Sequence, residues 1–197
     1  MPVISEIKTT KKGRYALFCD GEFIFSVDEA TLCEYRLKVG TPLDDELSIR
    51  LRAASDNRRA LDKAMSYLDL REHSSGELRE KLMRSFDEDT ADYAVAYLER
   101  ISYVSDSGFA EKYAEELLIK RRKSLSEARA RMNAKHLSRE DIEAALSAYE
   151  ATDLENARYL IENKYAGKSP EKTAAALIRR GFASGAVRAA LRGYNDD

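Results

Sequence analysis

One apolar pattern occurs three times between Tyr67 and Leu191, and this repetition limits the folds open to the chain more than any other feature. The first copy carries Tyr67 and Leu68, then Ser74-Ser75-Gly76-Glu77-Leu78-Arg79-Glu80-Lys81-Leu82, then Phe86, Ala91, Val95 and Leu98. The second carries Leu117 and Leu118, Ser124-Leu125-Ser126-Glu127, Met132, His136-Leu137-Ser138, Ile142 and Leu146. The third carries Tyr159 and Leu160, Ser169-Pro170-Glu171, Leu177, Arg180-Gly181-Phe182, Val187 and Leu191. The landmarks Leu82, Met132 and Leu177 lie 50 and 45 residues apart. Each copy has helical spacing and predicts three short helices. Their starts carry capping chemistry: Ser74 with Glu77 and Ser124 with Glu127 form capping boxes. Ser169 with Pro170 supplies an N-cap and a first-turn proline, and Ser138 with Asp141 caps the third helix of the second copy. One such triplet buries too little apolar surface alone, so neighbouring copies must share a core. The predicted fold is mainly α: three tandem three-helix repeats in an elongated curved array, over residues 56–108, 109–150 and 151–197. Nine Gly and three Pro in 197 residues agree with a mostly helical chain.

The N-terminal residues 1–55 read differently, as a small β/α cap and a linking helix. Tyr15, Leu17 and Cys19 fall on one face of a strand, and Phe23, Phe25 and Val27 on one face of another. Asp20-Gly21 between them suits a type I′ hairpin turn, which needs positive φ at both central residues. Residues 3–9 add a third strand with Val3 and Ile7 inward. A helix over 28–37, with Ala30, Leu32, Cys33 and Leu37 on its apolar side and Gly40 behind it, covers the sheet. A further helix is expected from Leu43, with Thr41 as N-cap and Pro42 at the first position, to about Ser55. A separate element then carries Leu61, Ala64, Met65 and Leu68.

Charge is balanced overall, 33 Lys+Arg against 35 Asp+Glu, so the chain is not a polycation and a nucleic-acid contact needs a local patch. Residues 61–119 hold 7 basic and 14 acidic side chains. Residues 120–139 hold 8 basic side chains and one acid, and residues 168–192 hold 6 and one. The candidate contact residues for a partner or DNA are therefore Lys120, Arg121, Arg122, Lys123, Arg129, Arg131, Lys135 and Arg139, with Lys172, Arg179 and Arg180 from the last copy. A solvated helix end explains the same charges, since cations suit a helix C-terminus.

No apolar run reaches the ~20 residues that a membrane span needs, and the N-terminus lacks a signal peptide's pattern. With only Cys19 and Cys33, read as buried fillers of the cap, a cytoplasmic protein is expected. No metal, cofactor or catalytic residue is expected: there is no nucleophile–base pair, glycine-rich phosphate loop or clustered ligand set. His73 and His136 sit at helix junctions and read as structural. Asp87-Glu88-Asp89 reads as a helix start. Tyr97, Tyr103 and Tyr113 could stack on bases, although helix packing explains them more simply. Leu78, Leu82, Val95, Leu98, Met132, Ile142, Leu177 and Val187 are core by periodicity, and Phe109 reads as a core residue at a repeat junction. Arg71 either braces a helix junction or faces a partner.

Tyr67-Leu68, Arg71, His73-Ser74, Glu77-Leu78-Arg79 and Lys81-Leu82 together resemble the signature of the RecX family, bacterial regulators of the RecA recombinase. Tyr103, Asp106, Phe109 and Ala110 resemble that family's glycine-tyrosine-leucine-aspartate-aspartate stretch and the phenylalanine-alanine after it, with Ser102 at the glycine and Ser105 at one aspartate. Arg179-Arg180-Gly181-Phe182 resembles its basic-glycine-apolar turn; Lys135-His136-Leu137 lacks that glycine. The resemblance covers about residues 60–192, and the N-terminal extension is similar to that of the longer members. It implies a non-enzyme that binds the RecA filament on single-stranded DNA, in its groove or at its growing end; the polar surface balance of the sequence leans to a monomer. Such binding favours disassembly or blocks extension, which suppresses ATP hydrolysis, strand exchange and the co-protease activity behind the SOS response. It also implies weak direct DNA binding by some members. The alternative is a stand-alone nucleic-acid-binding helical repeat protein that uses the basic stretch 120–139.

Overall fold

The computed structural model describes residues 2–195. It is mostly helical, with ten α-helices among those residues and one three-stranded antiparallel sheet at the N-terminal end. The chain forms two compact units. One holds the residues up to Arg71 and Leu78–Ile101; the other holds Glu72–Glu77 and the residues from Ser102 on.

In the first unit, β1 (Ile4–Thr9), β2 (Tyr15–Cys19) and β3 (Glu22–Val27) pair in sequence order. Asp20 and Gly21 both take positive φ, 51° and 82°, as a type I′ turn requires. The strand faces need two corrections. A bulge shifts the β2–β3 register so that Leu17 opposes Phe25 while Phe18 opposes Phe23. The extra residue turns Phe23 out of the core, against the Phe18 ring at 5.8 Å between centroids, instead of inward beside Phe25. On β1, Ile4 is fully buried, Val3 is exposed and Ile7 is half-buried, because a second irregularity lies between Ile4 and Glu6.

The covering helix α1 (Glu29–Glu34) is shorter than expected. Asp28 caps it by accepting from the Thr31 N–H at 2.9 Å, and the chain leaves it through Arg36 at φ 49°. Cys33 faces solvent; only Cys19 is a buried filler. The next helix does not begin at Leu43 under a Thr41 cap. Residues 41–43 are held in extended pairing with the N-terminus: the Ile4 N–H donates to Thr41 O at 2.9 Å and the Leu43 N–H to Pro2 O at 2.8 Å. Asp44 caps the helix instead, accepting from the Leu47 N–H at 2.6 Å. This helix, α2 (Asp45–Leu68), runs unbroken past Ser55, whose buried hydroxyl donates to the Ser26 carbonyl of β3 at 3.3 Å. Leu51 inserts among Ile4, Leu17, Phe25, Val27 and Leu43 to close the small core. Helix α3 (Ser75–Leu82) is followed by α4 (Glu88–Arg100). Leu82, Ala91, Ala94 and Leu98 are buried, as are Ala60 and Ala64 on α2, which packs against α4.

The second unit contains α5 (Asp106–Glu115), prolonged by a π-helical turn (Glu116–Lys120), then α6 (Leu125–Asn133) and α7 (Arg139–Ser147). These bury Ala110, Leu117, Leu118, Met132, Ile142 and Leu146 together, with Phe109 and Tyr113 packed on the cluster. Helices α8 (Thr152–Lys164), α9 (Pro170–Arg179) and α10 (Ser184–Asn195) bury Leu160, Ile161, Leu177, Phe182 and Val187 in the same way. All eight positions assigned to the core by periodicity are buried.

Candidate protein and nucleic-acid interface

The basic stretch starts where α5 unwinds into its π turn. The Arg121 N–H donates to Glu116 O at 2.9 Å, and Arg122 takes a left-handed φ of 50°, so the four consecutive cations radiate from a helix end. Most have partners within the unit. Lys120 lies 3.7 Å from Glu115, and Arg121 is ion-paired with Glu116. Lys123 and Arg131 each lie 2.8 Å from Glu127. Arg129 grips Glu143 with two bonds of 2.8 and 2.9 Å, and Lys135 lies 2.8 Å from Glu77. Arg139 is exposed on α7, close enough to favour the charged form of Glu143. The hydrogen bond from Arg129 is the main reason that Glu143 sits below the usual carboxylate range, and Glu143 in turn raises Arg129. Burial pushes Glu127 upward, but hydrogen bonds from Lys123 and Arg131 outweigh it and hold that carboxyl below its ordinary value. The exposed pairs among these, Lys120–Glu115, Arg121–Glu116 and Arg129–Glu143, are weak and leave donors free to turn to an incoming anion, whereas Lys123, Glu127, Lys135 and Glu77 are half-buried or buried.

Arg122 differs from its neighbours. It donates to Asn156 Oδ1 at 3.1 Å and lies over the Tyr159 ring at 4.8 Å, which ties it to α8. Asn156, fully buried, also donates to the carbonyls of Leu118 at 2.8 Å and Lys123 at 3.0 Å, so it holds the π turn against α8. Lys172 and Arg179 come together with Lys168 around a groove of about 990 Å³ whose apolar lining includes Tyr165 and Ile178. Arg180 does not join them. Its carbonyl accepts from the Ser124 hydroxyl at 2.7 Å, and its guanidinium lies over Phe182 at 5.8 Å with one nitrogen buried.

The residues of the recurring motif build two equivalent junctions. In one, Ser74 caps α3 by accepting from the Glu77 N–H at 3.2 Å and donates its hydroxyl to Lys135 O, just before the left-handed His136. Asp106 accepts from the N–H and the hydroxyl of Ser75, at 2.7 and 2.6 Å. In the other, Ser124 caps α6 and donates to Arg180 O, just before the left-handed Gly181. Asp153 accepts from the N–H groups of Leu125 at 2.8 Å and Ala183 at 2.9 Å. The serine half of each expected capping box forms, whereas the Glu127 carboxylate engages Lys123 and Arg131. Leu78 and Leu82 are buried, and Phe109 packs on Tyr113 at 5.6 Å. Lys81 lies over the Tyr67 ring at 4.9 Å, the Arg71 N–H reaches Tyr67 O at 3.4 Å, and Tyr103 is 54% exposed. Asp87 is the N-cap of α4, accepting from the Thr90 N–H at 2.8 Å, and that bond keeps its carboxyl below the usual range. Sequence reasoning missed Asp153 and Asn156. The available signal was Asn156 one turn before Leu160 on the apolar face of α8, with Asp153 one turn before Asn156. Among the described residues no helix is long and apolar enough to cross a membrane.

Two family models match the chain: the regulatory protein RecX N-terminal domain over residues 2–44, and the RecX first three-helix domain over residues 60–98. The regulatory protein RecX of Lactobacillus gasseri is 35% identical over 157 residues, covering 79% of this chain and 57% of that protein. The regulatory protein RecX of Listeria monocytogenes is 30% identical over 193 residues, covering 93% of this chain and 72% of that protein. The chain thus spans a little over half of the first relative's length and nearly three quarters of the second's. A crystal structure of regulatory protein RecX superposes with a TM-score of 0.74 at 24% identity, over 95% of this chain and 98% of that one. RecX from Lactobacillus salivarius superposes with a TM-score of 0.66 at 20% identity, over 73% of this chain and 99% of that one. The similarity to the Listeria protein, over 93% of this chain and 72% of that protein, places this chain in the RecX family of regulatory proteins.

Proposed function

We propose that this chain regulates the RecA recombinase by binding the RecA filament on single-stranded DNA, so that disassembly is favoured or extension is blocked. ATP hydrolysis, strand exchange and co-protease activity fall as a consequence. It acts in the cytoplasm as a monomeric binding protein and not as an enzyme. Its working modules are residues 1–55, 56–108, 109–150 and 151–197. The observation that carries this reading is the pair of hydrogen-bonded junctions in the second unit, which fix successive helices while Lys120, Arg121, Arg129 and Arg139 remain at the surface. Several weak contacts held on one stiff scaffold add through effective concentration. A ligand that binds one filament state better shifts the assembly equilibrium without doing chemistry.

The test is ATP turnover by RecA on single-stranded DNA with increasing amounts of this protein. Turnover is expected to fall at sub-stoichiometric ratios. An unchanged rate at equimolar protein defeats the proposal.

A further inference from the structure

The basic stretch singled out in the sequence lies in the second unit, but the first unit carries a cationic groove of its own. It lies between β3 and α2, has a volume of about 550 Å³, and is lined by Lys12, Arg14, Phe23, Arg52, Asp56 and Arg59 among others. Asp56 is taken up by Arg59 at 2.7 Å. Among the described residues, Lys12, Arg14 and Arg52 have no carboxylate within ion-pair distance, so the groove keeps three uncompensated positive charges.

Two of these charges are held in place before any ligand arrives. The Arg14 guanidinium donates through Nε to Ser26 Oγ at 3.2 Å and through Nη2 to Ser26 O at 2.6 Å, and also reaches the Ser55 hydroxyl. Nη1 carries none of these bonds. The Arg52 guanidinium is stacked over Phe25 at 4.6 Å. Fixing these long side chains in advance removes much of the entropy that anion binding otherwise costs. At the groove wall, the bulge in β3 places Phe23 with 59% of its surface in solvent, braced edge-on by Phe18 at an interplanar angle of 68°. A held cationic channel beside an open aromatic face is the combination that binds a single-stranded nucleic acid: cations follow the phosphates and the ring stacks on a base.

We propose that the β3–α2 groove is a binding site for single-stranded nucleic acid, in which Lys12, Arg14 and Arg52 contact phosphates and Phe23 stacks on a base. This stands apart from the regulatory reading above, because its probe contains no recombinase. An acidic peptide would use the same cations but gain nothing specific from Phe23.

The experiment is fluorescence anisotropy of the full chain with labelled oligothymidylate across a salt series, alongside labelled polyglutamate. Lys12→Gln with Arg52→Gln is expected to weaken oligothymidylate binding by about tenfold at low salt and to reduce the slope of log K against log salt by about 1.4, near 0.7 for each lost phosphate contact. Phe23→Leu is expected to weaken binding several-fold with the slope unchanged. Arg84→Glu, an exposed residue outside the groove lining and a matched change in net charge, should change affinity much less than the groove pair. Unchanged affinity and slope in the groove pair overturn the proposal. Polyglutamate binding as tight as oligothymidylate, with Phe23→Leu neutral, also overturns it and makes the groove a peptide site. Melting temperatures equal to the parent's exclude misfolding, as the three substituted residues are exposed.

Discussion

Gly76 and Gly181 occupy opposite sides of the same recurring contact. A Cβ placed on Gly76 would collide with the Cβ of His136. In the equivalent junction, a Cβ on Gly181 would lie 3.2 Å from the Cβ of Ser126, the residue at the Gly76 position, and 3.0 Å from Ser124 Oγ. One partner of each pair must lack a side chain, and the two junctions solve this in opposite ways. The missing glycine at His136 is therefore balanced by Gly76 across the contact. His136 and Ser102 keep the left-handed backbone, at φ 60° and 57°, which costs a non-glycine residue about 1–2 kcal/mol. Gly76→Ala should destabilise the protein by about 1–3 kcal/mol through overpacking, and His136→Gly should remove most of that cost in the double variant. Urea denaturation of the four proteins in this cycle measures the coupling; a coupling energy near zero would show that the two residues do not compete for space.

At the scale of elements, helix starts are decided by short side chains. Asp28, Asp44, Asp87, Ser105, Ser124, Ser138 and Ser169 each accept from an N–H three residues on. Helix α6 adds a charge device in its first turn, where Glu127 binds Lys123 and Arg131. Because the carboxyl of Glu127 is held below its ordinary value in the folded state, the unfolded state binds its proton more readily. Its contribution to stability is therefore complete above the ordinary glutamate value, about 4.3, and is lost as the pH falls through the lowered one. Glu127→Gln should melt earlier than the parent at pH 6, and the gap should close as the pH approaches 3. A gap independent of pH would show that packing, not charge, sets the role of Glu127.

At the scale of the whole molecule, the basic stretch divides into charges that serve the fold and charges at the surface. Arg121 is exposed and, among the described residues, ion-paired with Glu116, whereas Arg122 is half-buried between Asn156 and Tyr159. Arg121→Glu should leave unfolding free energy within about 0.5 kcal/mol of the parent while weakening the proposed inhibition of RecA ATP turnover. Arg122→Glu should cost about 1–3 kcal/mol, since it sets a carboxylate beside the Asn156 oxygen. Chemical denaturation combined with the turnover assay separates the two. Equal stability losses would mean that the whole stretch is structural.

Much of this protein was readable from the chain alone, for a definite reason. Apolar spacing, capping residues and the Asp20-Gly21 turn act over two to four residues, so the helices, the hairpin and the eight core positions follow from local chemistry. The expected helix start at Leu43 failed because Pro2 and Ile4, distant in sequence, draw residues 41–43 into extended pairing. Phe23 was misplaced because a bulge is set by strand register and not by alternation. The buried Asp153 and Asn156 serve backbone groups 28 to 38 residues away, and Ser74 reaches across 61. The β3–α2 groove gathers cations from a hairpin turn and a helix that no spacing rule connects. Local energetics decided which elements form; only close packing of distant segments decided which polar groups meet, and so which charges remain available to a partner.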